Sequence, residues 1–314
     1  MRIAILDDIH QAWAGTEGVR RLRERAEVHV FTEPLGEPAA LRGFDAVIAN
    51  RERTRFTREL LEQLTDVRVL VQTGNHANHI DFAAARDCGI VVAKASAGYS
   101  IGAAELTFGL AMAVMRQIPV SDAAVKRGEW PTPSTQVLHG KTLGIVGLGR
   151  VGQHVAQIAR AFGMRVVAWS RSLTDEAAAT VGAERRDFDD LLGESDVVTI
   201  HVSLSPSSRG LFDARRIALM KPTAFLINTA RGPIIDEVAL VDALAAGRIA
   251  GAGLDVFDQE PVPAGHPLIT LSNVVLTPHI GWPTDDSYQR FATAACDVLL
   301  EYMAGRSVPG FDAH

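Results

Sequence analysis

The sequence predicts an α/β protein made of two doubly wound parallel-sheet domains. Short apolar runs alternate with helical patterns, and this alternation occurs twice, over residues 2–95 and again from Lys141. Strands that are apolar almost throughout are typical of parallel sheets covered on both faces by helices. The length of 314 residues also fits two domains, since a domain typically holds about 100–200 residues.

The first alternation contains five predicted strands rich in β-branched residues. They lie at residues 2–6, 28–31, 46–50, 68–73 and 90–95. Helical spacing of apolar residues occurs between them, at 57–64 and at 81–89, where Gly89 ends the pattern. Strands that alternate with helices in this way predict one parallel sheet.

A long apolar helix is predicted next, over residues 101–116. Because it is apolar on most sides, we expect it to be buried between two layers or two subunits. Three prolines that follow it, Pro119, Pro131 and Pro133, predict irregular chain.

The second alternation predicts six strands and six helices. The strands are predicted at residues 142–149, 165–169, 196–202, 224–230, 252–257 and 274–279. The helices are predicted at residues 150–162, 174–181, 187–194, 213–220, 236–246 and 284–304.

Composition and charge exclude several classes of protein. The net charge of −6 argues against a general nucleic-acid binder. No run of about 18 apolar residues predicts a membrane span, and the start "MRIAILDD" turns acidic too early for a secretory signal. Cys88 and Cys296 lie far apart in helical patterns, which predicts buried free thiols. We therefore expect a cytoplasmic protein without a disulfide framework.

A glycine-rich loop stands at the start of the second alternation. Gly147-x-Gly149-x-x-Gly152 follows an apolar strand and opens an amphipathic helix. The first glycine allows a tight turn, the second lets the backbone approach a pyrophosphate, and the third lets helix pack on strand. The free N–H groups of the helix start attract the anion. A purely structural glycine turn is the alternative, but the context favours a Rossmann dinucleotide site.

The next strand ends in Ser170-Arg171-Ser172, where NAD-binding folds carry an acid about 20 residues after the loop. A carboxylate would repel a 2′-phosphate, whereas an arginine with two serine hydroxyls can bind it. Arg171 could instead be a solvated loop residue. Because this position lacks the carboxylate of NAD sites and carries Arg171, we expect NADP(H) to be preferred, with NAD(H) possible.

Three later strands are followed by residues that suit hydride transfer to a carbonyl. Arg231 can hold a carboxylate or carbonyl oxygen with paired donors. His279 can donate a proton to the oxygen, and Glu260 can orient its ring and stabilise the protonated form. Singly, each could be a surface or packing residue. Together, on loops at the carboxyl ends of strands, they predict a catalytic set.

The motifs "GLGRVG", "LINTARGPIIDEVAL", "AGAGLDVFDQEPVP" and "TPHIG" make the chain resemble the D-isomer-specific 2-hydroxyacid dehydrogenase family, over about residues 74–284. The resemblance implies that Arg231 binds substrate, that His279 is the catalytic general acid/base and that Glu260 is its partner. It also implies a Rossmann domain (residues 100–285) inserted into a flavodoxin-like substrate domain (residues 1–99 plus 286–314), and a homodimer joined through the nucleotide-binding domains.

The family loop that binds the substrate carboxylate through backbone N–H groups aligns with Gly74-Asn75-His76. Trp282 is expected to wall the substrate pocket, with interdomain packing as the alternative. His76 and His79 lack a third ligand, so we predict no metal. The expected cofactor-binding residues are Gly147, Leu148, Gly149, Arg150, Val151, Gly152, Ser170, Arg171, Ser172, His201, Thr229, Ala230, Asp255, His279 and Gly281.

The predicted activity is reduction of a small 2-keto acid such as glyoxylate or hydroxypyruvate, or the reverse oxidation of a D-2-hydroxy acid. Phosphoglycerate dehydrogenase with a regulatory domain is disfavoured because the sequence ends at His314. Formate and phosphite dehydrogenases of the same fold remain open. A non-enzymatic NAD(P)-sensing corepressor is a further alternative, and the complete set of Arg231, Glu260 and His279 argues against it. No nucleic-acid or membrane partner is expected.

Overall fold

The structure is a computed structural model that describes residues 1–74, 77–97 and 101–311. The chain divides into two compact units. Unit 1 comprises Met1–Tyr99 and Pro283–His314, and unit 2 comprises Ser100–Trp282. Unit 2 therefore interrupts unit 1 in the sequence. The roles predicted for these two parts, substrate binding and nucleotide binding, remain predictions at the level of the fold.

Unit 1 is built on a parallel sheet with the strand order β2-β1-β3-β4-β5. This order is the one found in flavodoxin-like doubly wound folds. Its elements, numbered in chain order, are β1 (Arg2–Ile5), α1 (Glu17–Arg23), β2 (Glu27–Val30), β3 (Ala46–Ala49), α2 (Arg58–Leu61), β4 (Val69–Thr73), α3 (Phe82–Asp87), β5 (Val91–Ala95) and α11 (Asp285–Met303), with a 3-10 turn at Pro38–Leu41.

Unit 2 is built on a seven-stranded parallel sheet with the order β12-β11-β10-β9-β6-β7-β8. Read from β8, its first six strands have the Rossmann order 3-2-1-4-5-6. Its elements are α4 (Ile101–Met115), α5 (Ile118–Lys126), β6 (Thr142–Val146), α6 (Arg150–Ala161), β7 (Arg165–Trp169), α7 (Asp175–Ala179), β8 (Glu184–Arg185), α8 (Phe188–Glu194), β9 (Val197–Ile200), α9 (Ala214–Ile217), β10 (Phe225–Asn228), α10 (Glu237–Ala245), β11 (Gly251–Leu254) and β12 (Val274–Leu276), with 3-10 turns at Gly232–Ile234 and Pro267–Thr270.

Both sheets confirm the predicted fold class of two doubly wound parallel-sheet domains. The central strands β9 and β10 of unit 2 are buried at every residue. Successive side chains of a strand point to opposite faces. Accordingly, Val146 and Leu226 join one apolar cluster of the unit, while Ile145 and Ile227 join the other. Each face therefore has its own core, which explains why the strands read as continuous apolar runs.

Helix α4 packs mainly on the sheet of its own unit. A Cβ on Gly253 would lie 2.8 Å from Cβ of Leu110, and one on Gly251 would lie 3.0 Å from a methyl group of Val114. These two glycines of β11 thus let the helix approach the sheet closely. The apolar character of α4 is explained largely by this packing.

The prediction of irregular chain after α4 is wrong for the first part of this segment, where the structure has helix α5. Pro119 lies in the first turn of this helix. The prediction failed because proline is tolerated in the first helical turn, where its missing N–H would have no partner inside the helix anyway. The sequence also missed β8, since Glu184 and Arg185 are both exposed and form no apolar run.

The cysteine prediction is correct for one residue and wrong for the other. Cys296 is buried in α11, and burial raises the pKa of its thiol to about 12. Cys88 is only partly buried, because it follows α3 as the C-cap residue at the surface end of the helix. Both are free thiols.

Within the described ranges, no single helix is long and apolar enough to cross a membrane. α4 and α5 reach the required length and composition only when they are taken together, and they are bent by 61° at the break between them.

Candidate active site

The glycine-rich loop of unit 2 has the geometry expected of a pyrophosphate cradle. Gly147 has φ of +106°, and a Cβ there would lie 2.7 Å from the carbonyl carbon of His201. A Cβ on Gly152 would collide with the carbonyl oxygen of Gly147, while Gly149 has open space around it. The first and third glycines are therefore required by packing, and the second leaves room for a ligand.

The start of α6 is also prepared for an anion. Arg150 is its first residue, and the N-cap Gly149 has no side chain to bond the free N–H groups of the first turn. Backbone N–H groups at a helix N-terminus bind phosphate well. Val151 and Gly152 continue this turn. These features, with the space at Gly149, fit a dinucleotide.

The polar residues after β7 have distinct contacts. Ser170 accepts a hydrogen bond from the backbone N–H of Leu148 at 2.8 Å, so it fixes the glycine loop. Nη1 of Arg171 donates to Oγ of Ser207 at 3.0 Å, and Ser172 is exposed. Ser207, on the loop after β9, was missed from the sequence because nothing local links it to Arg171. No carboxylate contacts Arg171 among the described residues.

His201 directly follows β9, next to the glycine loop. Its Nε2 atom is buried and has no hydrogen-bond partner among the described residues. Burial lowers the pKa of this ring to about 3, so the imidazole is neutral at physiological pH. A buried nitrogen without a partner is costly. It therefore marks a place where a bound molecule could supply the missing hydrogen bond.

His279 and Glu260 form a hydrogen-bonded pair in unit 2. Nδ1 of His279 lies 2.7 Å from Oε2 of Glu260, and the other carboxylate oxygen accepts the N–H of Phe257 at 3.0 Å. The side chains are 34% and 37% exposed, so the pair is accessible. No described residue hydrogen-bonds the ring's other nitrogen, Nε2.

Burial raises the pKa of Glu260, but the opposing effects are stronger. Hydrogen bonds from His279 and Phe257, together with the charges of His279 and Arg231, leave the pKa of the carboxyl below its ordinary value. Glu260 is therefore ionised throughout the physiological range.

A mainly apolar cavity of about 520 Å³ borders the pair of His279 and Glu260. Its lining includes Phe257, Val262, Leu276 and Pro278.

Asp255 fixes the segment that carries His279. Its Oδ1 accepts hydrogen bonds from the hydroxyl of Thr277 (2.6 Å) and the N–H of Ile280 (2.8 Å), and its Oδ2 accepts from the N–H of Gly281 (2.9 Å). The carboxylate is almost fully buried, and burial raises its pKa against these hydrogen bonds. These contacts make Asp255 a brace for the segment around His279, and its role as a cofactor ligand stays a prediction.

Arg231 stands on a turn that is shaped by Asn228. The buried Asn228 side chain accepts from the N–H of Ala230 and donates to the carbonyl oxygen of Arg231, both at 3.0 Å. Nη1 of Arg231 donates to the carbonyl oxygen of Ala230 at 2.7 Å. The turn thus presents the arginine at the carboxyl end of β10. Asn228 was not singled out in the sequence, although its place at a strand end was a usable signal.

Other predicted residues lie around the same strand ends of unit 2. The Thr229 hydroxyl lies 3.0 Å from that of Thr107, and Gly281 is buried beside Asp255. Trp282 is partly buried.

Among the described residues there is no group of three or more His, Cys, Asp or Glu side chains that could hold a metal ion.

In unit 1, the predicted carboxylate-binding loop is described only at Gly74, because Asn75 and His76 lie outside the described residues. Gly74 has φ of +94°, and its N–H donates to the carbonyl oxygen of Ala95 at 2.7 Å. Backbone pairing beyond the end of β4 thus uses this N–H, and carboxylate binding by the loop Gly74-Asn75-His76 stays a prediction.

Arg51 is a further residue that the sequence did not reveal. It has φ of +63°, a strained value for a non-glycine residue. Its guanidinium packs against Gly74 so closely that a Cβ there would collide with Nη1. The side chain is only 17% exposed. Backbone strain is not visible in a sequence, so only the structure identifies this arginine.

Comparison with known proteins matches this site to a family. Residues 108–281 match the model of the D-isomer specific 2-hydroxyacid dehydrogenase NAD binding domain. A glyoxylate reductase of Thermococcus litoralis is 36% identical over 306 residues, covering 93% of this chain and 92% of that protein. The phosphoglycerate oxidoreductase structure from Vibrio cholerae has 30% identity and a TM-score of 0.86, covering 97% of this chain and 99% of the other.

Longer relatives also match. A D-3-phosphoglycerate dehydrogenase of Methanocaldococcus jannaschii is 38% identical over 309 residues, which is 97% of this chain but 58% of that protein. The chain thus spans little more than half the length of that relative. The matched residues include the glycine loop, the turn of Arg231, and the Glu260 and His279 loops. The chain belongs to the D-isomer-specific 2-hydroxyacid dehydrogenase family.

Proposed function

We propose that this chain interconverts a small 2-keto acid and the D-2-hydroxy acid with a nicotinamide cofactor. The hydrogen bond between His279 and Glu260, on the unit that carries the dinucleotide loop, is the observation that carries the proposal. A bound reduced nicotinamide would supply the hydride to the carbonyl carbon. His279 donates the proton from Nε2 to the carbonyl oxygen, and Glu260 holds the ring so that Nδ1 keeps its own proton. In the reverse direction His279 accepts the hydroxyl proton.

Arg231 is the proposed binding residue for the substrate's carboxylate or carbonyl oxygen. Its guanidinium can give two parallel hydrogen bonds to a carboxylate. The loop Gly74-Asn75-His76 of unit 1 stays predicted to bind a substrate carboxylate, and Asn75 and His76 lie outside the described residues. Unit 1 is thus the proposed substrate domain and unit 2 the proposed nucleotide domain.

The proposed cofactor is NADP(H), with NAD(H) as the weaker alternative. The support is Arg171 at the end of β7, held on Ser207 and with no described carboxylate beside it. An arginine and a hydroxyl can together bind the three oxygens of a 2′-phosphate.

The proposed substrates are glyoxylate and hydroxypyruvate. A phosphorylated hydroxy acid such as 3-phosphoglycerate is the second candidate, because a relative named D-3-phosphoglycerate dehydrogenase matches 97% of this chain. Oxidation of reduced cofactor should be measured with a panel of keto acids, and reduction of oxidised cofactor with 3-phosphoglycerate, formate and phosphite. His279→Gln is the control. If no compound is turned over while the cofactor still binds, a sensor role replaces the enzyme.

We also propose a homodimer that forms through unit 2. Exposed apolar side chains lie on α5 and on the segment after it: Ile118, Val120, Val125, Trp130 and Val137. Apolar residues exposed together often mark a contact surface. Light scattering on the purified chain should give twice the monomer mass, and Val125→Glu with Trp130→Ser should give the monomer. A monomeric native chain would contradict this assembly.

A further inference from the structure

The loop that carries Glu260 is held near both ends by one carboxylate, that of Glu237. Oε1 of Glu237 lies 2.9 Å from Nε2 of His266, and Oε2 accepts the backbone N–H of Asp258 at 3.3 Å. Glu237 is the first residue of α10, and its side chain is only 19% exposed. Glu237 therefore forms hydrogen bonds with the loop at Asp258 and again at His266.

The hydrogen bonds of His266 define its role. Its Nδ1 accepts the N–H of Leu268 at 3.3 Å, so in the neutral ring Nε2 carries the proton and donates it to Glu237. The backbone N–H of His266 donates to the carbonyl oxygen of Pro263 at 2.9 Å. The far end of the loop is thus fixed both to α10 and to the 3-10 turn Pro267–Thr270, which follows the loop.

The near end of the loop is fixed to the segment after Arg231. A Cβ on Gly232 would collide with the carbonyl group of Phe257, so the two backbones are in direct contact there. Glu237 bonds the next residue, Asp258, and Phe257 donates its N–H to Glu260. The contacts therefore run from Glu237, through the loop, to the carboxylate that holds His279.

The two hydrogen bonds that Glu237 accepts, rather than its charge, make its carboxylate hard to replace. Burial, and then the nearby Glu237 carboxylate, raise the pKa of Asp258, whereas Arg209 and His266 act in the opposite direction. An amide at residue 237 has one oxygen acceptor, and its nitrogen would face an N–H donor. It could therefore satisfy His266 or Asp258, but not both.

We propose that Glu237 is a positioning residue, which fixes the loop of residues 258–266 so that Glu260 stays aligned on Nδ1 of His279. The effect on turnover rests on the proposed function, whereas the effect on the His279 ring does not. As an alternative, Glu237 could act only through the favourable interaction of an acidic residue with the dipole of helix α10. Glu176, in the first turn of α7, is a matched control because it is exposed and contacts no part of the loop.

The first experiment is a double-mutant cycle on the full chain with glyoxylate and reduced cofactor. We expect Glu237→Gln to lower kcat about tenfold, which corresponds to ~1.4 kcal/mol in the activation barrier, with little change in KM. In the Glu260→Gln background the same change should lower kcat less than about twofold, since neighbours that act together are not additive. Glu176→Gln should leave kcat unchanged. An equal loss in both backgrounds would make Glu237 merely structural.

The second experiment needs no turnover. Ring ¹⁵N shifts of histidine-labelled protein report which nitrogen carries the proton, and His279→Gln identifies the signal of His279. Glu260 should hold the neutral ring with the proton on Nδ1. Glu237→Gln should increase the Nε2–H tautomer, whereas Glu176→Gln should not. An unchanged tautomer in a folded Glu237→Gln variant overturns the inference. A changed tautomer in a chain that reduces no keto acid would overturn the proposed function alone.

Discussion

Oε2 of Glu260 lies 2.7 Å from Nδ1 of His279, while Asp255 accepts hydrogen bonds from the Thr277 hydroxyl before that histidine and from two backbone N–H groups after it. His279 itself has φ of +57°, in the left-handed region that costs a non-glycine residue energy. The buried Asp255 carboxylate stabilises this strained segment. Ring orientation and backbone position thus depend on two different carboxylates.

His279→Gln should leave the fold and cofactor binding intact and lower kcat for keto-acid reduction about 10²–10⁴-fold, the usual contribution of general acid catalysis. Glutamine fills similar space but has no acidic proton. Single-turnover kinetics would separate the chemical step from product release. Near-native chemistry in this variant would remove His279 from the mechanism.

Glu260→Gln should move the alkaline limb of the reduction profile to lower pH, because a neutral amide stabilises the protonated imidazole less than a carboxylate does. The pKa of Glu260 is below its ordinary 4.5 in the fold. Its ionised form therefore stabilises the fold above pH 4.5, and this contribution is lost as the pH falls through the lowered pKa. Unfolding of native and variant protein, measured across that range, should show their stability difference shrinking with acid. An alkaline limb that does not move would argue against the pairing.

Arg231→Lys should lower kcat/KM for keto acids about tenfold or more, ~1.4 kcal/mol or above, because one ammonium cannot reproduce a two-pronged guanidinium contact. Cofactor affinity in the absence of substrate should stay the same. Fluorescence titration with the reduced cofactor checks this. An equal loss of cofactor affinity would assign Arg231 to the dinucleotide or to the fold.

Arg171→Ala should weaken NADPH binding about ten- to a hundredfold, since a hydrogen bond to a charged group contributes ~1.5–3 kcal/mol. NADH binding should stay the same. Rising salt should narrow the preference of the native chain, because the side chain is exposed. Steady-state kinetics with both cofactors tests this. A kcat/KM with NADH equal to or above that with NADPH would show that the phosphate interpretation is wrong.

Asp255→Asn should destabilise the fold and lower kcat together. The amide nitrogen would face a backbone N–H, and a buried donor left without a partner costs ~1–3 kcal/mol. Thermal unfolding and kcat should both be measured, with Asp189→Asn as the control, because Asp189 is exposed and pairs with Arg215. Native stability and turnover in Asp255→Asn would mean that these hydrogen bonds do not hold the His279 segment.

The amino-acid sequence alone was enough to predict the strand and helix alternation, the glycine loop and a site with Arg231, Glu260 and His279. These features are local, because strand burial, tight turns and strand-end loops each leave a pattern within a short segment. It did not reveal α5, since a proline at a helix start resembles a helix break.

Which side chains contact each other became visible only in the folded chain. The contacts of Asp255 with residues 277–281, of Arg171 with Ser207, and of Glu237 with His266 join segments distant in sequence. Likewise, only the structure shows that the N–H of Gly74 donates to the carbonyl oxygen of Ala95. Hydrogen bonds have a short range, so a sequence can name the donors and acceptors, whereas their pairing depends on how strands and loops pack in space.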